Sequence, residues 1–363
     1  MTPSDYAGQL AEKTRYIRDL FSGLNIPDLE IFESPEQHYR MRAEFRVWHE
    51  GDECFYAMFE RGRKASGASL IRCDRFLAAH ESINALMPRL MAAVADSTVL
   101  KNRWYAVEFL ATLSGEMLVT MIYHKKLDEA WRAAAEQLQD GLGIRIIGRS
   151  RGQKIVLAQD FVTEKLEVGG QTFVYRQIEG SFTQPNAEVC RKMLAWACDC
   201  ADGLGGDMLE LYCGNGNFTL PLATRFRRVL ATEVSKTSVN AALWNIEANR
   251  SGNVQIARLS AEEFTEAYNG GREFRRLQEQ GIVLADYAFS TIFVDPPRAG
   301  VDDETLRLVA QFDNVIYISC NPETLRSNLD MLAQSHDIRR MALFDQFPFT
   351  HHIESGVLLQ KRA

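Results

Sequence analysis

One cysteine stands where an apolar run breaks into a loop. Asn314-Val315-Ile316-Tyr317-Ile318-Ser319-Cys320 reads as a buried parallel strand, and Asn321-Pro322 ends it. The thiol of Cys320 is then expected at the carboxyl end of a strand, the edge of an open α/β sheet where ligands bind. A thiolate placed there is a nucleophile. The plain alternative is a small buried hydrophobe. Upstream, Thr291-Ile292-Phe293-Val294 runs into Asp295-Pro296-Pro297-Arg298-Ala299-Gly300. Two prolines make a stiff loop, able to hold Asp295 and Arg298 in fixed positions near the same edge.

A second cluster reads as a cofactor site. Met208-Leu209-Glu210-Leu211-Tyr212-Cys213-Gly214-Asn215-Gly216-Asn217 is a strand running into a glycine turn. Gly-x-Gly alone is a weak signal. A second strand, Arg228 to Thr232, ends in Glu233, seventeen residues past Gly216. An acid there can accept hydrogen bonds from ribose hydroxyls, or simply cap a turn. Phe218 and Thr219 stand where the third glycine of a dinucleotide fingerprint would fall. A pyrophosphate seat is therefore poorly supported. An adenosyl ligand without phosphates fits better, which points to S-adenosylmethionine rather than NAD.

The elements that must position these residues follow a strand, glycine loop, helix rhythm from Asp207 onward. The fold class is α/β: a Rossmann-like domain over 175–363, preceded by an α+β domain over 1–165. The first helix, 4–25, is able to pack on the second domain. A further strand is expected from Val357 to Gln360, and 160–185 reads as a passage with one strand at Thr172 to Ile178. Within that passage Gln184 precedes Pro185 and is held extended, its amide free to bond a cofactor or a base edge.

The first half carries a basic, aromatic-bearing surface. Tyr39, Met41, Ala43, Phe45 and Val47 alternate with Arg40, Arg42, Glu44, Arg46 and Trp48, so a half-buried strand shows three arginines and a tryptophan on its wet face. The run Arg61-Gly62-Arg63-Lys64 follows. Between His38 and Arg75 eight Lys and Arg stand against six Asp and Glu, although the whole chain carries −7. Tyr105 and His124 flank a hairpin from Trp104 to Tyr123. Arg145, Arg149, Arg151 and Lys154 add four charges with no acid among them. The functional reading is phosphate contact with ring stacking on bases, and the plain one a solvated sheet face.

Composition excludes several classes. The 363 residues are 46% apolar and 25% charged, and no run approaches a membrane span. Met1 to Tyr6 lack the pattern of a secretory signal. Seven scattered cysteines include no Cys-x-x-Cys pair, so neither a metal site nor an iron–sulfur cluster is expected. A reducing, cytoplasmic setting fits.

Two long motifs then resemble one family. Asp295 to Gly300, fourteen residues, then Val315 to Thr324 resembles the first signature of the RNA (uracil-5-)-methyltransferases. Asp345-Gln346-Phe347-Pro348 through His352-Ile353-Glu354 resembles the second, with Phe349 where Tyr, His or Gln is usual. His38 to Arg46, Tyr123 to Asp128 and Ser181 to Asn186 are similar to the bacterial tRNA branch, so the likeness spans nearly the whole chain. The resemblance implies methylation of uracil C5 in the T-loop of tRNA, and by similarity in the tRNA-like part of tmRNA. It implies Cys320 as nucleophile, Glu354 as the base that removes the C5 proton, and Arg298 as helper of the thiol. It implies Gln184, Tyr212, Asn217, Glu233 and Asp295 as contacts to S-adenosylmethionine. Arg40, Arg42, Arg46, Trp48, Tyr105 and His124 are the expected RNA contacts on the T-arm. His351 and His352 are expected in structural roles. An amino-group methyltransferase would end its Asp-Pro-Pro motif in an aromatic residue, and a flavin enzyme would need the full dinucleotide fingerprint. A ribosomal-RNA uracil methylase and a non-enzymatic RNA-folding factor remain the nearer rivals.

Overall fold

The structure, a computed structural model, describes residues 5–60, 62, 66–272 and 274–362. Met1 to Ser4, and Arg61, Arg63 and Lys64 of the basic run, lie outside the described residues. The chain divides into two compact units, residues 1–35, 166–176 and 188–363 in one and residues 36–165 and 177–187 in the other. Residues 1–35, first in sequence order, fold with the second half, and the helix Tyr6–Leu20 buries Tyr6, Leu10 and Ile17 in its core.

That first unit is built on eight strands: β1 (Leu29–Phe32), β2 (Asp207–Leu211), β3 (Arg228–Thr232), β4 (Val254–Ala257), β5 (Phe289–Val294), β6 (Asn314–Ser319), β7 (His336–Phe344) and β8 (Glu354–Lys361). Their spatial order is β1-β7-β8-β6-β5-β2-β3-β4. β2, β3, β4, β5 and β6 run parallel, and β8 runs antiparallel between β6 and β7. β2 and β6 are buried at every position, which is why their sequences are continuous apolar runs rather than alternations. Burying a side chain such as Phe293 or Ile316 contributes roughly 1.5–3 kcal/mol each.

Three elements differ from expectation. β1 and β7 carry no clear strand signal, being short or interrupted by Asp337, Arg339 and Arg340. They form because neighbours supply hydrogen bonds, β1 parallel to β7 and β7 antiparallel to β8. β8 begins at Glu354, three residues before the expected Val357. Ser355 and Gly356 are poor strand formers, but they are paired on both sides. Gly356 is also required for close approach, since a Cβ there would lie 2.7 Å from the Trp196 ring. The stretch 160–185 holds two strands, Phe161–Val168 and Gln171–Ile178, where one was expected. Gly169 and Gly170, both at positive φ, form the turn between them.

The other unit is a seven-stranded sheet in the order Leu70–Arg72, Glu53–Phe59, Arg42–Glu50, Trp104–Ala111, Met117–Tyr123, Arg145–Ser150 and Gln153–Val156. Helix Glu81–Ala95 packs on this sheet, as does Glu129–Leu142, N-capped by Asp128 and closed by Gly143 in the left-handed region. In Arg42–Glu50 the expected alternation holds: Ala43, Phe45 and Val47 are buried, whereas Arg42, Arg46 and Trp48 are half-buried on the opposite face.

Candidate active site

The register of the eight-stranded sheet brings the candidate residues to one edge. Leu211 pairs with Val294, so Tyr212 and Asp295 are the next positions on adjacent strands. Glu210 pairs with Ala231, which carries Tyr212 and Glu233 beyond the same ladder. Ser319 pairs with Ser355 across the antiparallel β6–β8 ladder, and one step further Cys320 stands opposite Glu354. Thirty-four residues of sequence separate the thiol from the carboxyl group, and one register step brings them together. Side chains directly opposite in such a ladder have Cβ atoms about 4.5–5.5 Å apart.

Around β2 the glycine turn is fixed by hydrogen bonds. Tyr212 adopts φ 62°, and Gly214 and Gly216 are also left-handed, which folds the chain sharply off the strand. Cys213 N–H donates to Thr232 at 3.0 Å. The Glu233 carboxylate accepts from Gly214 N–H at 3.0 Å and from Ser235 N–H at 2.7 Å. Glu233 therefore braces the turn, the plainer of its two expected roles, and the remaining lone pairs of its half-buried carboxylate are suited to hydroxyl donors. Asn217 turns its amide toward Cys190 at 3.5 Å, and its carbonyl accepts from the Tyr175 hydroxyl at 3.0 Å. The Glu233 carboxylate and the amides of the turn from Tyr212 to Asn217 offer acceptors and donors suited to a ligand that carries hydroxyls. Gln184 belongs to the other unit, where Met41 N–H donates to Pro185 at 2.8 Å and Asn186 bridges to Arg40.

The two loops flanking the thiol are tied together. Asn321 caps helix Pro322–Leu332 through Glu323 N–H, and its amide donates to the Arg298 carbonyl at 3.1 Å. Thr324 donates to the same carbonyl at 3.3 Å. The Arg298 guanidinium donates to His352 Nδ1 at 2.8 Å. Arginine has no acceptor, so His352 must be unprotonated on that nitrogen. His352 thus orients Arg298, in keeping with the structural role expected of it.

Electrostatics at this edge favour protonated groups. Burial pushes the Cys320 thiol up to about 11, with the charges of Glu354 and Asp295 adding to it and Arg298 opposing. Burial raises Glu354 well above the usual carboxylate range, with Asp295 adding and Arg298 opposing. Loss of solvation carries Asp295 up to about 7. A carboxyl group with raised proton affinity is a strong acceptor once it ionises.

Cys320 is partly exposed, whereas the other six cysteines are buried. It opens into a cavity of roughly 540 Å³, walled by Arg298, Asn321, Glu323, the loop Thr350–Ile353 and the first helix through Gln9, Glu12, Lys13 and Tyr16. The sequence reading did not include the helix in the site. A signal existed: Gln9 and Lys13 fall on the same stripe as Tyr6, Leu10 and Ile17, and both are buried.

Of the expected RNA contacts, Arg42, Arg46, Trp48 and Tyr105 belong to strands of the seven-stranded sheet and His124 directly follows one, whereas Arg40 precedes its strand and bridges Ala79 and Asn186. The Arg46 guanidinium lies 3.4 Å from the centre of the Tyr105 ring and donates to its hydroxyl. Tyr105 stacks on His124 at 3.6 Å, and Trp48 meets Phe59 edge-on. The basic cluster at 145–154 is not free of acids once folded. Arg145 pairs with Glu116 at 3.0 Å, Arg149 bidentately with Glu179 at 2.6 and 2.7 Å, and Lys154 with Asp160 and Glu179. Glu44 and Glu108 face each other directly between Arg42 and Arg46.

The chain matches the family model described as tRNA (Uracil-5-)-methyltransferase over residues 5–362. It is 72% identical over 359 residues to a tRNA/tmRNA (uracil-C(5))-methyltransferase of Neisseria meningitidis serogroup C, covering 99% of this chain and 98% of that one. The relative of the same description from Neisseria gonorrhoeae is 73% identical, covering 99% of each. That from Acinetobacter baylyi is 61% identical over 355 residues, covering 98% of each. Among solved structures, the Pyrococcus abyssi tRNA (uracil-54, C5)-methyltransferase in complex with S-adenosyl-L-homocysteine superposes with a TM-score of 0.73. It shares 19% identity and covers 98% of this chain and 83% of that one, a likeness of fold.

Proposed function

Because the chain belongs to the tRNA (uracil-5-)-methyltransferase family, we propose that it methylates C5 of uracil in tRNA and tmRNA, at the T-loop uridine, through a transient bond between Cys320 and C6. The observation that carries this reading is the meeting of Cys320 and Glu354 across the β6–β8 register, beside Asp295 and Arg298.

Uracil C5 is a poor nucleophile. Addition of the Cys320 thiolate to C6 moves the ring π pair toward C5 and O4, giving C5 carbanion character. Arg298 opposes the rise in the thiol's proton affinity and supplies positive charge where the enolate oxygen develops. Tyr212, Asn217, Glu233 and Asp295 are the residues that would hold S-adenosylmethionine, and the carboxylate acceptors and amide donors of the turn fit its ribose hydroxyls. When bound, that group would supply an electrophilic methyl to C5 and be left as a neutral thioether. Glu354 then takes the C5 proton, and the C–H pair re-forms the ring double bond as the Cys320 thiolate departs. A base inside a folded arm cannot reach this edge, so the target uridine is extruded into the cavity. The stacked Arg46, Tyr105 and His124, with Arg42 and Trp48 on the same sheet and Arg40 just before it, are assigned to the arm itself, held through phosphate and rings.

The test uses T-arm RNA carrying 5-fluorouridine. Fluorine cannot leave C5 as a proton, so a working enzyme given S-adenosylmethionine stalls as a covalent protein–RNA species that survives a denaturing gel. The wild type should form it and Cys320→Ala should not. An undiminished adduct in Cys320→Ala, or none in the wild type, overturns the mechanism. Ribosomal fragments in place of the T-arm should form no adduct.

A further inference from the structure

The loop from Asp345 to Ile353 leads directly into Glu354, and its anchor is the first helix. Lys13 Nζ donates to Asp345 Oδ1 at 2.6 Å, to the Phe347 carbonyl at 3.0 Å and to the His352 carbonyl at 2.8 Å. The ion pair is nearly dry, with side chains 6% and 0% exposed. One turn earlier, Gln9 accepts from Phe349 N–H at 3.0 Å, and the Tyr6 ring packs edge-on against Phe349. Phe349 needs that support, because it holds φ 58° without being glycine. Tyr6, Gln9 and Lys13 lie at i, i+3 and i+7, a single helical stripe turned onto a single loop.

An ammonium with three donors satisfies three acceptors at the two ends of this loop, which closes the loop as a rigid cover. Glu354, the residue that follows the loop in the chain, is 8% exposed. The strand register sets where Glu354 stands. We propose that Lys13, with Gln9, is a positioning residue for proton removal: it fastens the loop that keeps water from Glu354. This rests on the function proposed above. The charged and titratable groups facing Glu354 are Cys320 from β6 and Asp295 and Arg298 from the β5 loop. On the cavity side stand Lys13 and Glu12 of the helix, Glu323, His351 and His352. Letting water in lowers the proton affinity of Glu354 toward the ordinary range and weakens it as a base.

Removing Lys13 alone strands the Asp345 charge in the core, so the chosen variant neutralises both, Lys13→Met with Asp345→Asn. The expected result is a folded protein whose turnover on uridine T-arm RNA falls by about a hundredfold. Its pH profile should move toward acid. A covalent protein–RNA species should accumulate on ordinary uridine, as when C5 proton removal fails. Adduct formation with 5-fluorouridine, which stops before that step, should match wild type. Gln9→Ala frees only Phe349 N–H and should shift the profile in the same direction by less, which decides the matter if the double variant does not fold. Wild-type turnover and pH profile in the folded variant, or equal loss of 5-fluorouridine adduct and turnover, overturns the proposal. Failure of the wild type to form the 5-fluorouridine adduct would instead strike the mechanism of Cys320.

Discussion

The carboxyl edge of the eight-stranded sheet and the wet face of the seven-stranded sheet treat charge in opposite ways. At the edge, a thiol and two carboxyl groups crowd into low-dielectric surroundings beside one guanidinium, and burial raises the proton affinity of all three. On the face, the cations of 145–154 meet acids: Arg145 pairs with Glu116, and Arg149 and Lys154 share Glu179. Crowded, buried acids are costly to a fold and useful for moving protons. Paired surface charges contribute little stability but fix side-chain geometry. One region gathers buried titratable groups, and the other holds rings and guanidinium groups in a fixed pattern.

Four measurements would break or sharpen that contrast. Glu354→Gln should lower turnover by about 10²–10⁴-fold while a covalent species persists on ordinary uridine RNA. Unchanged turnover would mean that the buried carboxyl group moves no proton. Tyr105→Ala removes the ring between Arg46 and His124 and should weaken T-arm binding by about 1–3 kcal/mol, with kcat at saturating RNA preserved. A loss in kcat alone would merge the two regions.

Asp295 tests the cost of the edge through stability. Its proton affinity rises from an ordinary value of 3.8 to about 7, so the folded chain keeps a proton that the unfolded chain releases above about pH 4. Stability contributed by this group is full below that value and is lost as pH climbs through 7. Asp295→Asn, always neutral, should therefore gain in Tm relative to wild type between pH 4 and pH 8. A constant difference across that range contradicts the burial argument. Last, Arg149→Ala should lower Tm by freeing the buried Glu179, yet leave the salt dependence of RNA binding as it was. A shallower salt slope would show that Arg149 meets phosphate despite its bidentate partner.

Much of the edge was legible because parallel strands write themselves as apolar runs, and these runs stop just before Tyr212, Asp295 and Cys320. The alternation from Met41 to Trp48 was equally plain. Pairing partners were not legible. Nothing local to Arg145 or Lys154 announces Glu116 or Glu179, and a local count of charge therefore overstated how basic this surface is. β1 and β7 were missed because their hydrogen bonds, not their composition, make them strands. Lys13 shares its helix stripe with Tyr6, Leu10 and Ile17, but nothing near it in sequence names its acceptors, which lie more than three hundred positions away.

The reversed last strand has a practical corollary. Ser319 and Ser355 are the last pair of the β6–β8 ladder, and Cys320 and Glu354 are the next position on each side of it, so the backbone ladder sets their spacing. Heating should therefore leave the proton-removal step, and with it turnover, intact until the sheet itself melts. The temperature at which methyl transfer to T-arm RNA stops should coincide with the loss of far-ultraviolet dichroism, rather than come earlier as it does in enzymes whose reacting groups sit on separate mobile segments.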